Sequence, residues 1–283
     1  MSLGAYEFHG IEAARELAGG TPYEVSYRER DLTKRVDWGA IEGWLAGRIG
    51  GGPIQRQRTA ACELSSVGLR KEAAAELWAA ADSASAWTVF SVMREARECG
   101  ATEVAAQLAV SLRVSAGVGS GETPPDLLRV SYPVDYVATL KAESQKAGMD
   151  PLFFAALIRQ ESLWDPGAGS SAGALGLTQV IPPTGYAIAA ELGVAEFEPE
   201  DLFRPAISLE FGAYYMGGQI GRYGDPLLAL AAYNAGPGNA VRWGAFGATR
   251  PADLAEVIDF VETRTYVSYI YEAYAHYRLA WAD

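Results

Sequence analysis

The sequence predicts an all-α protein made of two helical units, and three observations support this. Hydrophobic residues make up 49% of the 283 residues and charged residues 20%, which is typical of a globular chain with enough apolar material for a core. Alanine is frequent and runs of β-branched residues are scarce, which favours helices. A segment rich in Gly, Ser and Pro, from Gly117 to Pro125, interrupts the helical pattern. We therefore predict one unit over residues 1–125 and another over residues 126–283.

The first region reads as a series of short amphipathic helices with a weak internal repeat. The segment Glu63 to Ala74 aligns with Glu95 to Ala106, an offset of 32 residues. Helix pairs of about that period build superhelical, solenoid-like regions, although a plain helical bundle is the alternative when two copies are visible. No group of catalytic residue types occurs here, so the region is expected to scaffold, to recognise, or only to pack. The predicted helices are Val36 to Ile49, Gln55 to Val67, Arg70 to Ala81, Ala86 to Glu98 and Thr102 to Ser115.

Charge and composition exclude several classes of partner. The formal net charge is −12, so nucleic acid and anionic membranes are not expected partners, because binding phosphate requires clustered Lys and Arg. No run reaches the roughly 18 apolar residues that span a bilayer. A signal peptide has a basic region followed by an apolar core, and the start of the chain, Met1 to Gly4, does not begin such a pattern. No signal peptide is therefore expected.

The histidines and cysteines do not form a predicted metal site. His9, His276, Cys62 and Cys99 lack the spacing of metal ligands, so we expect neither a metal nor another cofactor. Both cysteines lie in apparently helical stretches, where they could be buried free thiols or a disulfide. Activity is accordingly expected to survive chelators and reducing agents.

The second region contains a helix whose limits are signalled by two prolines. Asp150 is a favourable N-cap, and Pro151 suits the first helical position. Asp165 precedes Pro166, and a residue before proline is pushed out of the α region, so the helix is expected to close there. Glu161 lies near its end.

The position of Glu161 on this helix predicts unusual acid–base chemistry. Phe154, Leu157 and Ile158 lie seven, four and three residues before it and share its face. Burial on an apolar face and the negative end of the helix dipole would both raise the pKa of this carboxyl, so that it could donate a proton near neutral pH. The alternative is a glutamate at the helix edge that reaches water.

Two further segments suggest a ligand site. Ser170 to Gln179 is glycine-rich and nearly free of charge, which lets a ligand approach the backbone, and a small β element is expected between Ser171 and Ile181. Ala231 to Gly238 ends an apolar helix with Asn, Gly and Pro. A C-terminal cap explains Gly236 and Pro237 there, but it does not explain the adjacent Tyr233 and Asn234.

Together, four ordered motifs over about residues 130–283 resemble the soluble lytic transglycosylases, lysozyme-like enzymes that cleave peptidoglycan. The helical first region is similar to the last part of the α-superhelical region that precedes their catalytic domain. The chain departs from the family at Thr178, where Met is usual, and at Thr265, where Asn is usual. Thr178 would replace a flexible apolar contact in the substrate groove and alter affinity. The motifs are Glu161-Ser162, Gly176-Leu177-Thr178-Gln179, Ala232-Tyr233-Asn234-Ala235-Gly236 and Glu262-Thr263-Arg264-Thr265-Tyr266.

The resemblance implies a lysozyme-like α domain with Glu161 as its acid and base. Glu161 would protonate the oxygen between N-acetylmuramic acid and N-acetylglucosamine, then deprotonate the 6-hydroxyl of the muramic acid to give a 1,6-anhydro sugar. Such an intramolecular nucleophile makes a second protein carboxylate dispensable. Ser170 would orient Glu161, and Glu262 is either a groove residue or only a favourable charge at a helix start. The implied substrate-binding residues are Ser170, Thr178, Gln179, Tyr233, Asn234 and Glu262.

The resemblance also implies a location and two rival functions. Peptidoglycan glycan strands as substrate suit the periplasm or cell envelope, where the helical region could contact cell-wall proteins. A goose-type lysozyme would share the fold and use water as the nucleophile. A non-catalytic cell-wall binding or scaffold protein is the alternative outside enzymes.

Overall fold

A computed structural model describes residues 24–54, 58–82, 84–246 and 256–282. The all-α prediction is confirmed: these residues form thirteen α-helices and two short 3-10 helices, with isolated β-bridges in place of strands. The bridge Leu175 to Val180 lies where the small β element was predicted, and the bridge Gly169 to Leu175 begins two residues before it. No helix in the described parts of the chain combines the length and apolar character that a membrane crossing requires.

The first compact unit comprises residues 31–134 with short pieces at 163–165 and 279–282. Its boundary falls after Val134, later than the predicted position after residue 125, because the helix that begins at Pro125 packs on the helices before it. A 3-10 turn spans Ser120–Glu122. The helices are α1 (Trp38–Ile49), α2 (Ala61–Ser66), α3 (Arg70–Ala81), α4 (Ala86–Glu98), α5 (Thr102–Ser115) and α6 (Pro125–Ser131).

Local signals account for most helix limits in this unit. The bounds of α3, α4 and α5 are those predicted. The first helix begins two residues later than expected because Asp37 acts as its N-cap, with its Oδ1 accepting from the N–H groups of Gly39 and Ala40. The second helix begins at Ala61, because the Thr59 N–H donates instead to the buried Glu95 carboxylate at 2.7 Å. Residues 55–57 of the predicted second helix lie outside the described residues.

Successive helices of the first unit share one apolar core. Helices α2 to α5 each contact the next helix, and α2 and α3 also contact the next but one, as stacked helix pairs do. Residues from α1 through α6 supply the core, among them Leu45, Leu77, Phe90, Leu112 and Leu127, all nearly inaccessible to solvent.

A disulfide crosslinks this unit. Cys62 in α2 is bonded to Cys99, the residue that follows α4, and the two positions are 37 residues apart in sequence. Of the two alternatives left open by the sequence, the structure therefore has the disulfide.

The second compact unit contains residues 24–30, 135–162, 166–246 and 256–278. A 3-10 helix spans Pro199–Phe203, and several of the α-helices begin with proline. Its longest helix, α13, continues to Ala280. The α-helices are α7 (Val137–Lys146), α8 (Pro151–Ser162), α9 (Pro182–Leu192), α10 (Pro205–Tyr223), α11 (Pro226–Ala235), α12 (Pro237–Gly244) and α13 (Val261–Ala280).

The start of α8 is fixed by a buried polar cluster. Asp150 is fully buried, and its Oδ1 accepts from the Leu152 N–H at 2.9 Å, as predicted for an N-cap. Arg30 donates to the same carboxylate at 2.6 Å, and Tyr274 of α13 donates to it at 3.1 Å. The Asp150 N–H in turn donates to the carbonyl of Val25. The segment 24–30 was predicted in the first unit, but these contacts place it in the second.

The end of α8 comes earlier than predicted. The helix stops at Ser162, because Leu163 and Trp164 adopt the left-handed conformation with φ of 51° and 67°. Pro166 therefore follows a helix that has already ended. Glu161 is left in the last turn of α8, next to a sharp change of chain direction.

The disulfide predicts a measurable loss of stability on reduction. A crosslink that closes a loop of 37 residues is expected to contribute about 4 kcal/mol, mainly by restricting the unfolded chain. Cys62→Ala combined with Cys99→Ala should lower the free energy of unfolding by that order, measured by urea denaturation. Reductant should destabilise the wild type and leave the double variant unchanged; equal stability of wild type and variant without reductant would contradict the crosslink.

Candidate active site

A cavity of about 560 Å³ opens in the second unit where four chain segments meet. These are the end of α8, the loop 168–181, the end of α11 and the start of α13, and Thr184 of α9 and Tyr215 of α10 complete the wall. The structure thus brings together six of the seven residues predicted for the site. Those that line the cavity are Glu161, Ser170, Gln179, Tyr233, Asn234 and Glu262.

Glu161 combines access to the cavity with a desolvated carboxyl group. Phe154, Leu157 and Ile158 on the same helix are fully buried, as predicted, and Glu161 itself is half-buried because it borders the cavity. Burial raises the pKa of Glu161 from 4.5 to about 7, while a hydrogen bond donated by the Tyr266 hydroxyl acts in the opposite direction. The carboxyl can therefore hold its proton near neutral pH.

Tyr266 is a site residue that the sequence reasoning did not assign. It stands four residues after Glu262 on α13, in the quoted motif, and its hydroxyl donates to Oε1 of Glu161. The sequence feature that could have indicated this role is the position of Tyr266 one helical turn after Glu262, a predicted groove residue. The contact joins positions 105 residues apart, which local sequence patterns do not reveal.

A second tyrosine lies close to the same carboxyl. The Tyr233 hydroxyl donates to the backbone carbonyl of Thr178 at 2.7 Å, and its ring packs on that of Tyr215 with centroids 5.3 Å apart. Burial first, and then the nearby Glu161, raise the pKa of both Tyr233 and Tyr266 well above 10. Both hydroxyls are therefore neutral hydrogen-bond donors over the whole physiological range.

The loop before α9 holds its shape through tight backbone contacts. Gly176 has φ of +74°, and a Cβ there would lie 1.9 Å from the carbonyl oxygen of Leu202, so glycine is required. Gln179 is also left-handed, with φ of 48°, and its Nε2 donates to the carbonyl of Gly176 at 2.9 Å. The Ser170 Oγ accepts from the Ala174 N–H at 3.0 Å. These contacts fix the wall on which Ser170 and Gln179 are presented.

Thr178 is the predicted residue whose side chain does not line the cavity. It is fully buried, and its hydroxyl donates to the carbonyl of Ser208 at 2.8 Å. Its backbone N–H donates to the Ser208 hydroxyl at 3.2 Å. Its methyl group lies 2.4 Å from where a Cβ on Gly212 would stand, so α10 can approach only with glycine there. Thr178 therefore lies behind the wall and anchors the carbonyl that Tyr233 contacts.

The remaining two predicted residues, Asn234 and Glu262, lie on different helices. Asn234 is the last residue but one of α11, and its Oδ1 accepts a hydrogen bond from the Thr263 hydroxyl at 2.7 Å. The amide nitrogen therefore points away from that contact. Glu262 is exposed in the first turn of α13 and borders the cavity. Its two predicted roles, groove residue and helix-start charge, are both compatible with this placement.

No group of three or more His, Cys, Asp or Glu side chains that could hold a metal ion occurs among the described residues. The titratable groups that meet at the cavity are carboxyl and phenol groups. The site can donate and accept protons and form hydrogen bonds.

Residues 138–253 match the family described as the transglycosylase SLT domain. The predicted resemblance is confirmed. The match includes Glu161, the loop 168–181 and the end of α11, but it stops before Glu262 and Tyr266.

Individual relatives and solved structures agree with this match. The soluble lytic murein transglycosylase of Salmonella typhimurium is 31% identical over 157 residues, which cover 54% of this chain and 24% of that protein. The 70-kDa soluble lytic transglycosylase of Escherichia coli has the same fold, with a TM-score of 0.70, 23% identity and coverage of 99% of this chain and 44% of that one. An inactive variant of lytic transglycosylase Slt from Pseudomonas aeruginosa gives a TM-score of 0.67 at 25% identity, covering 96% and 41%. The match thus spans about a quarter of the length of three of the curated relatives.

The raised pKa of Glu161 predicts a pH-dependent stability difference between the wild type and Glu161→Gln. Its folded pKa of about 7 exceeds the ordinary 4.5, so the carboxyl folds without penalty below pH 4.5 and opposes folding increasingly as the pH rises to 7. The amide variant should match the wild type near pH 4 and exceed it by up to about 3 kcal/mol above pH 7. Urea denaturation across this pH range measures the difference, and a pH-independent difference would contradict the burial of the carboxyl.

Proposed function

We propose that the protein is a peptidoglycan lytic transglycosylase that cleaves the bond between N-acetylmuramic acid and N-acetylglucosamine and leaves 1,6-anhydro ends. The observation that supports this most is the Glu161 carboxyl, with its pKa raised to about 7, at the wall of the cavity. A neutral carboxylic acid at that position can donate a proton to a leaving oxygen at neutral pH.

The first step is general acid catalysis. Tyr266 donates its hydrogen bond to Oε1 of Glu161, so the acidic proton is best carried on Oε2. That proton passes to the glycosidic oxygen as the bond from the anomeric carbon to this oxygen breaks. Glu161 is left as a carboxylate, which the Tyr266 hydroxyl continues to stabilise.

The second step uses the same residue as a base. The Glu161 carboxylate takes the proton from the 6-hydroxyl of the muramic acid while that oxygen bonds to the anomeric carbon. The 1,6-anhydro ring closes, and the acid form of Glu161 is restored. Because the nucleophile belongs to the substrate, its effective concentration is high, and no second protein carboxylate is needed.

The surroundings of Glu161 favour a mechanism with one carboxylate. Among the described residues, Glu262 is the other carboxylate on the cavity wall, and it lies in an exposed helix start. The pKa of Glu161 is raised by burial and not by a neighbouring carboxylate, unlike the shared-proton pairs of two-carboxylate sites. In this mechanism Gln179, Asn234 and Ser170 hold the sugar, and the Tyr233 hydroxyl stabilises the developing cation by its dipole.

The proposal extends to location and partners. Cleavage of glycan strands places the enzyme outside the cytoplasm, in the periplasm or cell envelope. The helical first unit would contact cell-wall proteins or the substrate. The alternative function, that of a goose-type lysozyme, is supported by one observation. Glu262 lies on the same cavity wall, where it could activate a water molecule.

Glu161→Gln should lower the cleavage rate by about 10²–10⁴-fold, because it removes the titratable proton and preserves the shape. Mass spectrometry of digested peptidoglycan should find 1,6-anhydromuramic ends with the wild type and almost none with the variant. Glu262→Gln is the matched control, and it should keep the anhydro product. Reducing muramic ends from the wild type, abolished by Glu262→Gln, would establish water as the nucleophile and contradict the transglycosylase.

Tyr266→Phe should change the pH dependence of the rate. The lost hydrogen bond favours the carboxylate, so its removal should raise the pKa of Glu161 above 7 and move the basic limb of the rate profile to higher pH. Tyr269→Phe, an exposed position on the same helix, is the control and should not move it. An unshifted basic limb in Tyr266→Phe would show that this hydroxyl does not tune the acid.

A further inference from the structure

A polar and aromatic cluster joins the end of α12 to the segment that leads into α13. The Asp259 carboxylate accepts hydrogen bonds from Nη1 and Nη2 of Arg242, both at 2.7 Å, and from Nε1 of Trp243 at 2.9 Å. The Arg242 guanidinium lies over the rings of Trp243 and Phe260, at 5.4 and 5.5 Å from their centroids. The two rings pack edge to face, 5.5 Å apart. We call these four residues the Asp259 cluster.

The Asp259 cluster has a more fixed geometry than an ordinary ion pair at a protein surface. Exposed pairs with a single contact contribute little, but a guanidinium that makes two parallel bonds to a carboxylate is held in one orientation. Trp243 is fully buried, so its bond ties the carboxylate to the core. The bonds from Arg242, and then the bond from Trp243, lower the pKa of Asp259 to about 2. The cluster therefore keeps its charges over the pH range in which Glu161 titrates.

The Asp259 cluster lies outside the cavity that Glu161 borders, because none of its four residues lines that cavity. It runs directly into α13, since the Arg264 N–H donates to the carbonyl of Phe260 at 3.0 Å and so draws Phe260 into the hydrogen bonding of the helix. A helix is regular and stiff over a few turns, so a fixed start sets the positions of the side chains in its first two turns.

Tyr266, whose hydroxyl donates to Glu161, lies between two anchored points of this helix. It follows Asp259 by seven residues and precedes Tyr274 by eight. Tyr274 is bonded to the buried carboxylate of Asp150, which holds the helix on the C-terminal side of Tyr266. The Asp259 cluster holds the helix on the N-terminal side.

We propose that Asp259 is a positioning residue for the acid, one that acts through the start of α13 to keep the Tyr266 hydroxyl on Glu161. This inference rests on the proposed function, in which Glu161 is the acid and the Tyr266 bond tunes it. Loss of the Asp259 cluster would free the start of α13, lengthen that bond and leave the Glu161 carboxylate less stabilised. The pKa of Glu161 would then rise, in the same direction as in Tyr266→Phe.

A direct electrostatic effect of the cluster on Glu161 would have a different pattern of signs. Through space, removing the negative Asp259 would lower the pKa of Glu161, whereas removing the positive Arg242 would raise it. Positioning requires that both removals raise it. The titratable side chains that face Glu161 are Tyr266, which contacts it, and Tyr215, Tyr233 and Glu262, which share the cavity wall with it.

Titration of the Glu161 carboxyl by carbon NMR distinguishes the two mechanisms and needs no substrate. Arg242 and Asp259 are each about half exposed, so Asp259→Ala and Arg242→Ala leave no buried void and should fold. In both variants the midpoint should rise by about half a pH unit, which is part of what a whole charge-assisted hydrogen bond is worth. The rise should be partial because a bond from Thr263 to Asn234 also holds the start of α13.

Two further variants serve as control and as reserve. Arg204→Gln removes another exposed ion pair of the second unit, that with Asp201, and should leave the midpoint of Glu161 unchanged. Asp259→Asn keeps an oxygen for the Trp243 N–H and should give a smaller rise than Asp259→Ala. It replaces the alanine variant if circular dichroism shows that the latter is unfolded.

The double variant of Asp259→Ala with Tyr266→Phe gives the most decisive comparison. If Asp259 acts through Tyr266, the double variant should have the same midpoint as Tyr266→Phe alone. A further rise in the double variant would overturn the proposal, as would a fall or no change of the midpoint in Asp259→Ala. Release of anhydro ends by the wild type tests the proposed function separately, because the titration gives its result whether or not peptidoglycan is cleaved.

Discussion

The chemistry proposed for this protein depends on the Glu161 carboxyl, which is held away from water and, among the described residues, receives its hydrogen bond from a phenol. Burial raises the pKa of Glu161 to about 7, and the hydrogen bond from Tyr266 limits that rise. A charged Lys or Arg in place of the phenol would favour the carboxylate strongly and remove the proton that an acid must donate. A neutral donor keeps the group oriented and still able to gain and lose its proton.

The rest of the second unit holds this arrangement in place from three directions. The Asp150 cluster, with Arg30 and Tyr274, fixes the start of the helix that carries Glu161. The Thr178 and Ser208 contacts fix the loop behind the cavity, and Tyr233 is bonded to that loop through the Thr178 carbonyl. The polar groups of these clusters are buried and paired, so each is a rigid support instead of a source of unsatisfied charge.

The features that the sequence predicted correctly depend on interactions between residues that are close together in the chain. The bounds of α3, α4 and α5 follow from the breaks between them and, for α4, from the Ser85 cap, and the apolar face beside Glu161 follows from helical spacing. The missed features, the Tyr266 bond to Glu161 and the Arg30 bond to Asp150, depend on contacts between distant residues, and the pairing of Cys62 with Cys99 was left open for the same reason. Thr178 illustrates the limit of a motif. Its position in the motif predicted the correct loop, but the burial of its side chain depends on the tertiary fold.

A direct titration of the Glu161 carboxyl tests the central claim most sharply. Carboxyl carbon NMR of selectively labelled protein, with Glu161→Gln to assign the resonance, gives the pKa of this one group without substrate. The structure predicts a midpoint of about 7, with the resonance still that of the neutral acid at pH 5. A midpoint near the ordinary glutamate value of 4.5 would mean that Glu161 is ionised at neutral pH and cannot be the acid.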